Sequence, residues 1–414
     1  MIVPFSRIGM SKWLAKIPKN LPASGIRDIM VKASTLEKNN RTIIHLEVGQ
    51  PNFETPQHIK NATIEAIINN KTQYVPNDGI PELKIEIANY YSKRNFPSSS
   101  ENICVTTGSM LAMYSLFVAL INPNDEVLLP LPGFPNYYQA VLLHNGKAIP
   151  YYCHPKNSFL PKIDEIKKLI TNRTKVIVIN NPNNPTGAIY PTKLIEEIIQ
   201  LANENNIFVI SDEIYSDIIF DNHFTSAANY ENKDINSSNI AVVSGISKAY
   251  SSTGFRVGWV RANKDVISVI TKLQEPIVSC GTSFSQYGAL AAIQDFKKDC
   301  IVDMTAAYKQ RRDKAVDILT NRNYPPTFVP AGAFYFPIFI PPEFNISSLQ
   351  FALSLLESKG VAIAPGTAFN TDNSSNPLTN GILESFCRVS LANSIDNVAN
   401  GINLICDFMD DLHK

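Results

Sequence analysis

The segment Ser244-Gly-Ile-Ser-Lys248-Ala-Tyr-Ser-Ser-Thr-Gly-Phe-Arg256-Val-Gly258-Trp259 follows the apolar run Ile240 to Val243. It sets a lysine at a strand end and an arginine eight positions on, among hydroxyls and glycines such as Ser247 and Gly254. A lysine so placed suits neither a core nor a solvated face. It suits a Schiff base with a carbonyl, and the arginine suits an anion held beside it. Other residues could join that chemistry. Asp212 ends the apolar run Ile207-Phe-Val-Ile-Ser and is followed by Glu213-Ile-Tyr215; a carboxylate at a buried strand end must be paired. Val105-Thr-Thr-Gly108-Ser109-Met110 reads as a strand opening into a helix, whose free N–H groups and dipole favour a phosphate. Asn180-Asn-Pro-Asn-Asn184-Pro-Thr-Gly187 is turn-forming by composition. Arg388 stands inside the apolar run Phe386-Cys-Arg-Val-Ser-Leu, where an unpaired guanidinium is costly.

The elements that must position these residues alternate. Ile103–Thr106, Glu126–Leu129, Lys175–Ile179, Ile207–Ile210 and Ile240–Val243 read as buried strands. Thr192 to Asn203 reads as an amphipathic helix, with Leu194, Ile195, Ile198, Ile199 and Ala202 on one face. The pattern predicts an α/β fold: a mainly parallel sheet flanked by helices, with ligands gathering at the carboxyl ends of the strands. Beyond Gln286 the pattern changes. Tyr287 to Arg312 reads as helix with a break near Phe296, Val329 to Phe339 as a half-buried strand, and Ser347–Lys359 as helix. Asn370 to Asn380 reads as a polar loop, Phe386 to Leu391 as a strand, and Ser394 onwards as a last helix. This predicts a smaller α+β domain completed by the N-terminal segment. The expected boundaries are an arm and part of the small domain over 1–48, a large domain over 49–295 and a small domain over 296–414.

With these motifs the chain resembles the class I/II aminotransferases, fold type I enzymes dependent on pyridoxal 5'-phosphate (PLP), from about Ile43 to Leu391. The resemblance implies transfer of an amino group between an L-amino acid and a 2-oxo acid, in a ping-pong cycle through a Lys248 Schiff base. Asp212 then holds the ring nitrogen protonated, and Tyr215 and Asn184 bond the phenolic oxygen. Gly108, Ser109, Met110, Ser247 and Arg256 surround the phosphate, and Phe134 of Pro132-Gly-Phe134-Pro-Asn-Tyr137 stacks on the ring. Arg388 clamps the substrate α-carboxylate, with Gly49 and Asn184 beside it. Tyr74 is implied to reach the phosphate of a neighbouring subunit, so that a homodimer shares its active sites. One position departs from many relatives: Gly245 stands where they carry a phosphate-binding serine, which leaves the role of Ser244 open. Some aspartate-preferring relatives place a lysine where this chain has Met110, which favours a neutral or aromatic amino donor over a dicarboxylic one. C–S lyases and cyclopropane-forming synthases share the same residues and are the alternative reading.

Bulk properties fit two domains of ordinary globular composition: 414 residues, 44% hydrophobic and 18% charged. Lys plus Arg equals Asp plus Glu, 37 each, so no basic field attracts nucleic acid. A winged-helix regulator on this scaffold is disfavoured, since the fold is expected to begin within the first 45 or so residues. The six cysteines form no CxxC pair and the six histidines no HxxxH spacing, pointing to reduced thiols and no metal. No apolar run approaches a membrane span, and no GxGxxG or GxxxxGK[ST] offers a nucleotide cradle. The first 27 residues carry Arg7, Lys12, Lys16, Lys19 and Arg27 without an acid, read as an arm packed on a cytoplasmic protein in preference to a transit peptide.

Overall fold

The computed structural model describes residues 14–19, 21–22, 25–221, 223–231, 234–295, 298–372 and 376–413. Its main sheet has seven strands: β1 (Ile103–Thr106), β2 (Glu126–Leu131), β3 (Lys147–Tyr152), β4 (Thr174–Asn180), β5 (Phe208–Asp212), β6 (Ile240–Gly245) and β7 (Gly258–Arg261). Their spatial order is β1-β7-β6-β5-β4-β2-β3. β7 runs antiparallel to both β1 and β6, and the remaining pairs are parallel. Both faces are covered, and the sequence alternation shows it. Ile177 and Ile179 of β4 join the core on one face with Val209 and Val242. Val176 and Val178 join the core on the other with Ile210 and Val243.

Two strands of this sheet escape the sequence pattern. β3 carries Pro150, which argues against a strand interior, but it is an edge strand where a missing N–H is tolerated. β7 begins two residues past Arg256 and reads as the tail of that motif.

A second layered region follows. Strands β8 (Tyr335–Phe339) and β9 (Phe386–Ser390) pair antiparallel, and Ala364–Pro365 extends the pair beyond β9. Ile44–His45 pairs with Val361–Ala362. Helices Asp299–Asn321, Ser348–Lys359 and Ile395–Leu412 pack here, and Ile29, Ala33 and Leu46 from the N-terminal part share their core. Ser347 caps its helix through a reciprocal box with Gln350.

Two expectations change and a third holds. The strand foreseen from Val329 starts only at Tyr335, because Ala331 and Gly332 donate to the Gly187 carbonyl and Ala333 takes a positive φ of 56°. The loop foreseen from Asn370 to Asn380 becomes helix at Pro377, where Asn376 caps the first turn and proline fits the first helical position. The helical stretch foreseen from Tyr287 to Arg312 with a break near Phe296 is found as two helices, Ser283–Gln294 and Asp299–Asn321, with Phe296 itself outside the described residues. No helix among the described residues is long and apolar enough to cross a membrane.

Candidate active site

Register brings the site together. β4 and β5 align Asn180 with Asp212, and β5 and β6 align Asp212 with Val243, so these carboxyl ends form one rim. Lys248 lies three residues past the end of β6. Together with loops from the second region, this rim lines a cavity of about 440 Å³. Gly49, Ser109, Met110, Phe134, Asn184, Asp212, Tyr215, Ser247, Lys248, Arg256 and Arg388 all face it. Tyr74 does not; its ring is 88% exposed on the outer surface.

At one end lies the start of the Ser109–Leu120 helix, capped by Gly108 with a φ of 78° and no side chain to take the first-turn N–H groups. A Cβ on Gly108 would lie 2.4 Å from Arg256 Nη2, and one on Gly258 would lie 2.4 Å from the Ser109 nitrogen. The two glycines therefore let an arginine and a strand backbone close around the helix end. Arg256 itself holds a left-handed φ of 55° and donates to the Thr253 carbonyl at 2.9 Å. The Gly245 departure also has a physical reason. Gly245 pairs with Gly258 across β6 and β7, and a Cβ there would sit 2.8 Å from the Val257 carbonyl. Ser244 does not replace the serine, for it lines a different cavity with Tyr90, Tyr91 and Glu213.

In the middle, Lys248 Nζ donates to the Gly49 carbonyl at 2.8 Å. Burial pushes its pKa down to about 8; Arg388 and Arg256 add to this and Asp212 opposes it. An amine that titrates close to neutral pH suits a proton carrier. Asp212 lies at the floor. Its carboxylate accepts from the Tyr137 hydroxyl at 2.5 Å and from the Ile214 amide at 3.1 Å. Burial raises its pKa, while those two donors and Lys248 pull it down.

At the far end Arg388 is 2% exposed. It donates to Asn184 Oδ1 at 3.1 Å and to the Glu47 carbonyl, and its Nε has no partner. A buried guanidinium with a free N–H and no ion pair among the described residues is built to receive a carboxylate. Asn184 is itself fixed, its backbone N–H donating to Asn180 Oδ1 at 2.8 Å. Residues that were given no role in the sequence also face the cavity, among them Ile26, Asn136, Tyr137, Asn180, Thr253 and Tyr335. Tyr335 reads as core in an alternating strand, and Tyr137 sat unassigned beside Phe134, whose ring it meets edge-on at 5.5 Å.

The family model for aminotransferase class I and II matches residues 41–404 of this chain. The chain belongs to the class I and II aminotransferases. A probable aspartate/prephenate aminotransferase of Aquifex aeolicus (strain VF5) is 34% identical over 405 residues, 96% of this chain and 98% of the relative. The crystal structure of aspartate aminotransferase from Thermotoga maritima matches with a TM-score of 0.87 at 28% identity, covering 96% of this chain and all of that one (100%). That of aromatic aminotransferase from Pyrococcus horikoshii OT3 matches with a TM-score of 0.82 at 30% identity, covering 92% and 99%. The enzyme is therefore a PLP-dependent aminotransferase on the fold type I scaffold. The residues present fit that cofactor: a phosphate cradle that a Cβ at Gly108 would fill, a lysine of lowered pKa, and a buried carboxylate within its field.

Proposed function

We propose that this aminotransferase takes neutral or aromatic L-amino acids as donors, with its chemistry divided along the cavity as follows. Arg256, Ser247 and the Gly108–Met110 helix start hold the phosphate, Phe134 covers the ring, and Asp212 pairs the ring nitrogen. Tyr215 and Asn184 address the phenolic oxygen. When bound, PLP supplies an electron sink for the carbanion formed at the amino acid Cα. Arg388 takes the α-carboxylate with its free Nε–H, Asn184 and the Gly49 backbone steady that end, and the clamp sets which Cα bond faces the ring. Lys248 Nζ would take the proton from Cα and hand it on to the cofactor's C4' carbon, a role its pKa of about 8 supports.

One observation carries the donor class. Lys248, Arg256 and Arg388 are the cations lining the cavity among the described residues, and each has its part already. Met110, Ile26 and Phe134 are apolar parts of the wall, and among the described residues no further cation lines it to meet a second carboxylate. A dicarboxylic donor is the rival reading, favoured by relatives named as aspartate aminotransferases. We also propose a cytoplasmic homodimer in which Tyr74 completes the partner's phosphate site, and a division into a large domain over 49–295 and a smaller one over 296–414 joined by the N-terminal segment. The exposure of Tyr74 on the outer surface supports the dimer.

The test is absorbance of the holoenzyme mixed with single amino acids and no acceptor. Phenylalanine, tyrosine, leucine or methionine should convert the cofactor band, and a 2-oxo acid should restore it. Conversion by aspartate and glutamate alone overturns the donor class. Release of pyruvate with the band unchanged marks a C–S lyase instead. Tyr74→Phe should weaken cofactor retention in a dimer seen by light scattering; a monomer of full activity refutes the shared site.

A further inference from the structure

Tyr335 belongs to none of the motifs, yet it touches three groups at the heart of the cavity. It is 1% exposed on β8 and aims its hydroxyl at that of Tyr215, 2.7 Å away. β9 sets Ser390 opposite Tyr335 and Arg388 opposite Pro337, so Arg388 is the diagonal neighbour on the same face. Its guanidinium lies 4.4 Å from the Tyr335 ring centroid. The hydroxyl also presses on Gly49, where a Cβ would come within 2.5 Å of it. Thus one side chain contacts the group proposed for the phenolic oxygen, the group proposed for the substrate carboxylate, and the glycine whose carbonyl holds Lys248.

We propose that Tyr335 is a positioning residue with two separable parts: a hydroxyl that orients Tyr215, and a ring that holds Arg388. A phenol has one hydrogen to donate. If Tyr335 donates to the Tyr215 oxygen, the Tyr215 hydrogen is released into the cavity; in the reverse arrangement Tyr215 would be spent on Tyr335. The direction follows from charge. Burial raises both phenols, and the Arg388 guanidinium lying against the Tyr335 ring works against that rise, which favours Tyr335 as the donor. The ring acts differently. Against an aromatic face the guanidinium keeps its plane without a carboxylate that would cancel its charge, so its free Nε–H stays available.

This inference rests on the roles proposed for Tyr215 and Arg388. The experiment therefore runs Tyr335→Phe, Tyr335→Leu and Tyr215→Phe in parallel as holoenzymes. The readouts are the pH midpoint of the cofactor absorbance, kcat and KM for one good amino acid, and Tm. A donor on the phenolic oxygen favours its anionic form and weakens proton binding next to it. Tyr335→Phe should accordingly raise the midpoint by roughly half to one pH unit and lower kcat about tenfold with KM nearly unchanged. Tyr335→Leu should add a rise in KM of roughly tenfold. If Tyr335→Phe lowers Tm but leaves the midpoint and kcat at wild-type values, its hydroxyl is structural only and the proposal fails. If Tyr335→Phe and Tyr335→Leu give the same KM, the ring has no part in holding Arg388. If Tyr215→Phe also leaves the midpoint unmoved, the failure lies in the reading of Tyr215.

Discussion

Two buried arginines on two strands show how this chain separates structure from function. Arg261 on β7 is 0% exposed, and the chain fills its fork: Glu231 at 2.6 Å, the Ser98 hydroxyl at 2.7 Å and the Pro97 carbonyl at 3.3 Å. Arg388 on β9 is 2% exposed, and the chain leaves it short, with an amide oxygen, a carbonyl and two aromatic rings but no carboxylate. Removing a guanidinium from water costs several kcal/mol unless the interior returns it. At Arg261 the return comes from Glu231, so that arginine serves the fold. At Arg388 it must come from something the chain binds, so the fold carries the cost for the site.

Methionine substitutions should break the two sites in opposite ways. Arg261→Met strands Glu231 in the interior and should cost about 3–5 kcal/mol of unfolding free energy by urea denaturation. Activity of the folded fraction should change little. Arg388→Met removes a charge with no partner and should leave stability level or raised, while kcat/KM falls by roughly 10²- to 10³-fold. Equal losses of stability at both positions would mean that Arg388 is balanced by the chain after all, with Glu47 the nearest candidate.

Lys248 extends the contrast to a group that can shed its charge. Its pKa is about 8 in the folded chain and 10.5 at the ordinary lysine value. Below pH 8 both states hold the proton and the burial cost is felt in full. Between pH 8 and 10.5 the folded state releases it while the unfolded state keeps it, so stability rises with pH across that window. The full swing is on the order of 3 kcal/mol. In cofactor-free protein, the deficit of wild type relative to Lys248→Met should close between those two pH values. A deficit that stays flat with pH refutes a buried, destabilised ammonium.

The same contrast explains what could be read from the sequence. Lys248, Asp212 and Arg388 stood out because a charge in an apolar run is costly, so its type and place already carry information. Asn184 and Gly108 stood out through long motifs. Tyr335 and Tyr137 did not, because a tyrosine in an alternating strand or an aromatic cluster is satisfied as core. Only the folded chain, through strand register for Tyr335 and through the Pro135–Leu143 helix for Tyr137, turns their hydroxyls towards Tyr215 and Asp212. The parallel sheet was legible from its Val- and Ile-rich runs. β3 and β7 were hidden by a proline and by a neighbouring motif, features that decide only once the strand's place in the sheet is known.

Tyr137 offers a milder test of a chain-supplied partner inside the site. Its hydroxyl helps hold Asp212 ionised against burial. Tyr137→Phe removes that charge-assisted bond, worth about 2 kcal/mol, and keeps the ring. Cofactor release measured by dialysis should then speed up by ten- to thirtyfold, roughly, more so at low pH where Asp212 is protonated more readily. An unchanged release rate would show that the Ile214 amide alone suffices.

The smallest effect addresses what the cavity lacks. Arg388 serves one carboxylate, and Met110 occupies the wall where a second cation could serve another. Met110→Lys places an ammonium at the start of the Ser109–Leu120 helix, where it faces the positive end of the dipole and gains nothing from the chain. Its return must come from a distal carboxylate on the substrate, which repeats the Arg388 arrangement by design. The ratio of kcat/KM for aspartate over phenylalanine should rise roughly tenfold, about 1.4 kcal/mol, at little cost in stability. If wild type already prefers aspartate and the lysine changes nothing, a cation from outside the described residues holds the distal carboxylate.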